Sequence, residues 1–292
     1  MSFSGTVKEE LAGCFSQARH CQLAELSAII HFGGHVSEDG RHLDLSMENE
    51  AVMRKCFTLL KKTYNIDNVM RYMDEDKVLS ALYLYDDKRQ RIVLEDPVNP
   101  LLIKNSCCAR AYLRGAFLCI GSMSDPEKSY HLEFVCSYLE QAKQLCSMIQ
   151  EFQIEARVIK RKKYHVVYLK EGAGLVDLLN VMGAHVSLMN LENLRIVKEM
   201  RNSINRRVNC EAANISKTVN ASSKQIEDIL YIQSHYGFEK LPENLRQMAH
   251  IRLEHPDATL IELGSYLDPP VGKSGVNHRL RKLSGIADDI RL

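Results

Sequence analysis

Leu113-Arg114-Gly115-Ala116-Phe117-Leu118-Cys119-Ile120-Gly121 is apolar except for Arg114, with small residues at Gly115, Ala116 and Gly121. Such a run suits a helix packed against another helix, because small side chains let two backbones approach closely; the closing glycine is expected to take the left-handed cap conformation. A weaker copy, Leu26-Ser27-Ala28-Ile29-Ile30-His31-Phe32-Gly33-Gly34, lies upstream. Gly34 and Gly121 are 87 residues apart, which predicts a duplicated helix-led unit and a pseudo-twofold domain.

Working outward, the first copy reads as helices over 3–15 and 22–32, a strand over 41–47, a helix over 50–64, and strands over 69–73 and 78–85 around an acidic hairpin tip at 74–77. After the break Asp96-Pro97-Val98-Asn99-Pro100 the order repeats. A helix over 107–119 leads, followed by a strand over 130–135, a helix over 139–152, and a hairpin of 156–160 with 164–170 around Arg161-Lys162-Lys163. A short helix over 175–182 ends at Gly183-Ala184-His185. The expected organisation is a domain over 1–190, with repeats at about 1–96 and 101–190, a polar basic connector over 191–225, and a second domain over 226–292.

At 292 residues the chain can bury a substantial core, and 45% hydrophobic with 26% charged residues is ordinary for a globular protein. No apolar run approaches the roughly 18 to 20 residues of a membrane helix, and the first residues lack a secretory pattern, so a cytoplasmic protein is expected. Nine scattered cysteines, an odd number without a Cys-x-x-Cys pair, predict free thiols in a reducing compartment. Net charge is only +1, but its distribution is uneven. Residues 1–190 carry 23 basic and 24 acidic side chains, whereas 195–224 carry seven basic ones against Glu199 and Glu211. Residues 272–282 add four basic side chains and no acid. Local positive potential is what a nucleic-acid backbone feels, so both patches point to DNA.

In the last third, Ser222 and Gln225 form a capping-box spacing ahead of Ile226, and Pro242 suits the first turn of a helix that His255-Pro256 must end. Thr259 and Glu262 make a second box, opening a short helix that Asp268-Pro269-Pro270 stops. A further helix starts near Ser274 and is expected to end at Ser284, capped by Gly285. Short helix, break and second helix make a helix-turn-helix pattern. On that second helix Val276, Leu280 and Leu283 fall on one face and predict core. Lys273, Ser274, Asn277, His278, Arg281 and Lys282 remain for recognition, with Arg279 at the boundary and expected to meet a phosphate. Asn bonds adenine bidentately, Arg bonds guanine, and Lys and Ser hold phosphates.

Leu23-Ala24-Glu25-Leu26, Tyr112-Leu113-Arg114-Gly115-Ala116-Phe117, Arg206-Arg207-Val208-Asn209-Cys210-Glu211-Ala212-Ala213-Asn214 and Lys273-Ser274-Gly275-Val276-Asn277-His278-Arg279-Leu280 resemble the WhiA family of bacterial sporulation and cell-division regulators. The resemblance covers nearly the whole chain. It implies an α+β class: a degenerate pseudo-twofold domain of the LAGLIDADG homing-endonuclease type, then an all-α helix-turn-helix domain. It further implies a DNA-binding regulator linked to sporulation, cell division and chromosome segregation.

An active LAGLIDADG endonuclease is the sharpest rival. In that fold each motif helix ends with a metal-holding acid just before its last glycine. Gly33 and Ile120 occupy those positions and cannot ligate a metal, so cleavage is not expected. The acidic tip would also repel phosphate, whereas Arg161, Lys162 and Lys163 would attract it. Arg206 and Arg207 are expected to contact phosphate. A third class is an adaptor whose N-terminal domain senses a ligand or protein. Gly272-Lys273-Ser274 is no phosphate-binding loop, because Leu267 stands where that motif needs glycine. The spacing of His31 and His35 and the adjacent Cys107-Cys108 read as ordinary packing or surface, and no cofactor or metal is expected. The expected partners are double-stranded promoter DNA and, through the N-terminal domain, other regulators or RNA polymerase, on the nucleoid and without a membrane.

Overall fold

The computed structural model describes residues 2–37, 42–45, 49–64, 75–86, 88 and 90–291, which form two compact units, Met1–Glu199 and Met200–Leu292. In the first, α1 (Phe3–Gly13) precedes α2 (Arg19–Gly33), the strands β1 (His35–Val36) and β2 (Leu43–Asp44), and α3 (Glu50–Tyr64). Then come α4 (Glu75–Ala81) and the hairpin β3 (Tyr85–Asp86) and β4 (Arg91–Ile92). The second copy holds α5 (Ser106–Ile120), β5 (Gly121–Met123), β6 (Leu132–Cys136), α6 (Leu139–Glu151), β7 (Arg157–Arg161), β8 (Tyr164–Leu169) and α7 (Gly172–Met182). Its antiparallel sheet runs β5-β6-β8-β7, with Leu132, Phe134 and Cys136 of β6 buried.

The two leading helices have equal length, and each boundary of α5 lies 87 residues beyond that of α2. They pack closely against each other. A Cβ built at Gly115 would lie 2.6 Å from the Glu25 carbonyl oxygen and 2.8 Å from the Ala28 Cβ, so the small residue is required where the backbones approach. Glu25 is buried between the helices and holds Arg114 (Nε to Oε1, 2.7 Å) and Lys55 of α3 (Nζ to Oε1, 2.8 Å).

The closing glycines work differently from expectation. Gly34 (φ −85°) and Gly121 (φ −82°) are both extended, with no left-handed cap. A Cβ at Gly34 would meet the Ile30 carbonyl oxygen at 2.5 Å and Leu43 Cδ1 at 2.8 Å, and one at Gly121 would run into the Phe117 ring. Space, not backbone sign, selects glycine there. The left-handed cap appears instead at Gly183 (φ 94°), ending α7.

The strand expected over 78–85 is also corrected. Val78 and Leu79 lie in α4, and Val78, Leu79 and Leu82 are buried together because their spacing forms a helical stripe. Only Tyr85–Asp86 is extended there, pairing with Arg91–Ile92 rather than across residues 74–77. The strand expected over 69–73 lies outside the described residues, as does Asp74 of the acidic tip.

The second unit includes part of α8 (His185–His235), the 3-10 turn Phe238–Lys240, α9 (Glu243–Glu254), α10 (Leu260–Ser265) and α11 (Lys273–Arg291). Its core joins Ile229 and Ile232 of α8, Leu245 and Met248 of α9, Leu263 of α10, and Val276, Leu280, Leu283 and Ala287 of α11. The Ser222 capping box does not form, because residues 222–225 lie inside continuous α8 and the Ser222 hydroxyl donates to the Pro256 carbonyl at 2.6 Å. The Thr259–Glu262 box does form. Gly285 is likewise interior rather than a cap: Ala287 extends the buried stripe of α11 one turn further, and Arg291 pairs with buried Asp228 at 2.8 Å.

Candidate nucleic-acid interface

The turn between α10 and α11 is built around a close backbone approach. The Val271 amide donates to the Gly264 carbonyl at 2.9 Å, and a Cβ on Gly264 would strike the Val271 carbonyl. Glycine at 264 therefore lets the turn fold tightly against α10. At the other end of α10, the Thr259 hydroxyl accepts from the Glu262 amide while the Glu262 carboxylate accepts from the Thr259 amide. Those bonds hold the Glu262 carboxyl below the usual carboxylate range.

With Val276, Leu280 and Leu283 buried, the rest of α11 is oriented by its period. Lys273, Ser274, His278, Arg281 and Lys282 are exposed, and Asn277 is half-buried. Ser274, Asn277, His278 and Arg281 are spaced to share one face of the helix. Arg279, expected at the boundary, is half-buried, and its Nη1 donates to the Asn244 carbonyl of α9 at 3.5 Å.

Beside this face lies a groove of about 490 Å³, lined by Lys217, Thr218, Ser222, Arg252, Lys273 and Asn277 among others. Arg252 is buried, and its Nη1 donates to the Ala258 carbonyl at 2.7 Å, while its Nε has no partner among the described residues. Burial pushes its pKa down from the ordinary arginine value, against the pull of Asp257. The groove thus gathers three cationic side chains. Lys217 is visible in sequence only as one member of a basic run; Arg252 carries no local signal, because its burial depends on how α9 packs.

Arg206 and Arg207 are exposed on α8, about 15 Å along the helix axis from Lys217 at 1.5 Å per residue. Arg206 Nε bonds back to the Asn202 carbonyl at 3.2 Å. These two form a separate patch from the α11 face. At the β7–β8 turn Lys162 and Lys163 are exposed, whereas Arg161 is engaged with Glu133 at 3.0 Å.

Gly33 and Ile120 are the last residues of α2 and α5 and bring no carboxylate to the helix ends. Nearby His31 is buried, with Nδ1 2.7 Å from the Tyr112 hydroxyl and Nε2 2.9 Å from Gln141 Nε2. Burial lowers its pKa to about 4, outweighing contributions from Asp96 and Leu94, so it is a neutral packing residue. His35 is exposed on β1.

Three family descriptions match successive parts of the chain: the WhiA N-terminal LAGLIDADG-like domain over residues 19–80, the WhiA LAGLIDADG-like domain over 109–201, and the WhiA C-terminal HTH domain over 204–287. The chain is 50% identical to the "Probable cell division protein WhiA" of Lachnoclostridium phytofermentans, with all of both chains covered. It is 45% identical to the protein of the same description from Alkaliphilus metalliredigens, covering 99% of this chain and 98% of that one. The crystal structure of full-length WhiA from Thermatoga maritima is similar with a TM-score of 0.59, at 25% identity and 99% coverage of both chains.

Proposed function

The chain belongs to the WhiA family, and we propose that it is a sequence-specific DNA-binding regulator of transcription in cell division, with parts in sporulation and chromosome segregation. The observation that carries this reading is the α11 face. A capped helix-turn-helix leaves Ser274, His278, Arg281 and Lys282 exposed, with Asn277 beside them, on the side opposite its buried stripe. Asn277 and Arg281 read base edges in the major groove, while Lys273, Ser274 and Lys282 hold the flanking phosphates. Lys217 and Arg252 in the adjoining groove favour the same polyanion. Arg279 positions α11 against α9, and Arg206 and Arg207 supply a separate phosphate contact. The protein works on the nucleoid in the cytoplasm, with other regulators or RNA polymerase as partners of its first unit.

The LAGLIDADG-like unit acts without nuclease chemistry. A two-metal cleavage site needs a carboxylate from each motif helix, and Gly33 and Ile120 supply none. Footprinting on promoter fragments tests the reading. Asn277→Ala and Arg281→Ala are each expected to weaken specific binding by about 1 to 3 kcal/mol, with nonspecific binding less affected. Unchanged footprints for both variants would refute the assignment of this face. Incubation of the protein with supercoiled promoter DNA and magnesium is expected to leave the DNA intact.

A further inference from the structure

At the opposite end of the paired helices from Gly33 and Ile120, the first turns of α2 and α5 bring four soft ligands together. The ring nitrogen of His20 and the sulfurs of Cys21, Cys107 and Cys108 all lie within 4.8 Å of one another. His20 Nδ1 is 3.1 Å from Cys108 Sγ and 3.4 Å from Cys21 Sγ. Cys21 and Cys108 are buried, whereas His20 and Cys107 are exposed, so the group has both a dry interior side and an open approach. In sequence, Cys107-Cys108 reads as helix packing; in the fold only the second of the pair is packed.

The placement follows the duplication. His20 and Cys21 are separated from Cys107 and Cys108 by the same 87 residues that separate the two helices. Each repeat therefore contributes one adjacent pair from the same turn of its leading helix. Rigid helices, rather than a loop, set the donor positions. Both helix N-termini meet there, and their dipoles favour the net negative charge of a thiolate-rich metal site.

We propose that His20, Cys21, Cys107 and Cys108 form a structural zinc site that clamps the two repeats of the first unit together. Zinc is bound tetrahedrally with Zn–S near 2.3 Å, which places sulfurs about 3.8 Å apart, inside the observed spread. Three thiolates and an imidazole are a closed structural donor set with no position left for substrate. Calcium and magnesium require oxygen ligands, and the group contains none. Binding exchanges protons for metal: Zn²⁺ displaces three thiol protons to solvent, neutral His20 gives its Nδ1 lone pair, and no electron moves. The site uses none of the residues assigned to DNA contact, so it stands independently of that reading.

The full chain, prepared without a histidine tag under reducing conditions and reconstituted with zinc chloride, tests the proposal. Elemental analysis is expected to find equimolar zinc after removal of loose metal, and cobalt substitution to give the thiolate charge-transfer and d–d bands of a tetrahedral site. Cys107→Ser and His20→Ala alter exposed positions, so circular dichroism should stay native while zinc affinity falls tenfold or more. Cys119→Ser, on the same helix but outside the group, should keep equimolar zinc. Folded protein without zinc overturns the proposal. Undiminished zinc affinity in both exposed-ligand variants, iron in place of zinc, or a disulfide within the group in the reduced preparation does so equally.

Discussion

Replacing Glu25 by glutamine removes one negative charge from the middle of the first unit and leaves two positive ones behind. Glu25 is fully buried and accepts from Arg114 through both oxygens, at 2.7 and 2.9 Å, while Lys55 Nζ lies 2.8 Å from Oε1. Carbonyl groups and a hydroxyl supply the remaining partners: Leu11 at 2.6 Å and Cys14 for Lys55, and Met182 at 3.1 Å with Ser16 Oγ at 2.9 Å for Arg114. Burial depresses the Lys55 pKa, and Glu25 opposes that depression. Burial also works against the Arg114 charge, but Glu25 outweighs it and holds the guanidinium above its ordinary value. In Glu25→Gln, Lys55 can escape by losing its proton, while Arg114 cannot. Breaking a buried pair by removing one partner costs about 3 to 5 kcal/mol, a large part of the 5 to 15 kcal/mol that holds a typical domain. The chain has no tryptophan, so urea unfolding is followed by far-ultraviolet circular dichroism. The transition of the first unit should shift to lower urea with unchanged slope. The double variant Glu25→Gln with Lys55→Met should recover part of the loss, because one uncompensated charge disappears. A loss below about 1 kcal/mol, or a double variant no better than the single one, would refute the reasoning.

His31 gives a pH signature. The unfolded chain takes up its proton near pH 6.5 and the folded chain only near 4. Stability from this residue is therefore complete above 6.5 and falls by about 3 kcal/mol as pH drops to 4. His31→Gln should flatten that part of the denaturation profile, and an unaltered profile contradicts the buried neutral imidazole. Gly115→Ala should destabilise the first unit by about 1 to 3 kcal/mol, since its Cβ meets the Glu25 carbonyl oxygen at 2.6 Å. Gly285→Ala, with nothing among the described residues within 4 Å of its Cβ inside α11, should stabilise by about 0.5 to 1 kcal/mol. Thermal melts that reverse these signs would show that the helix packing is misplaced. Arg206→Ala and Arg207→Ala should weaken binding similarly across DNA sequences and each reduce the salt slope by about one; a changed sequence preference would make them base readers.

Local signals were enough where one segment carries its own reason. The 87-residue repeat, the stripe of Val276, Leu280 and Leu283, and the Thr259–Glu262 box are all readable from spacing, because helix period and capping act over a few neighbouring residues. Gly115 was legible for the same reason: a small residue in an apolar helical run announces a close neighbour. What remained depended on partners far along the chain. Val78 and Leu79 join a helix because Leu82 is buried with them, Ser222 abandons its capping role inside a continuous helix, and Gly285 stays helical because Ala287 and Arg291 find partners. Gly34 and Gly121 are glycines for lack of space, which no backbone rule reports. The duplication was written in the order of residues, but the meeting of His20 and Cys21 with Cys107 and Cys108 was not. Only the packing of α2 against α5 brings the 87-residue separation down to the reach of a single ion.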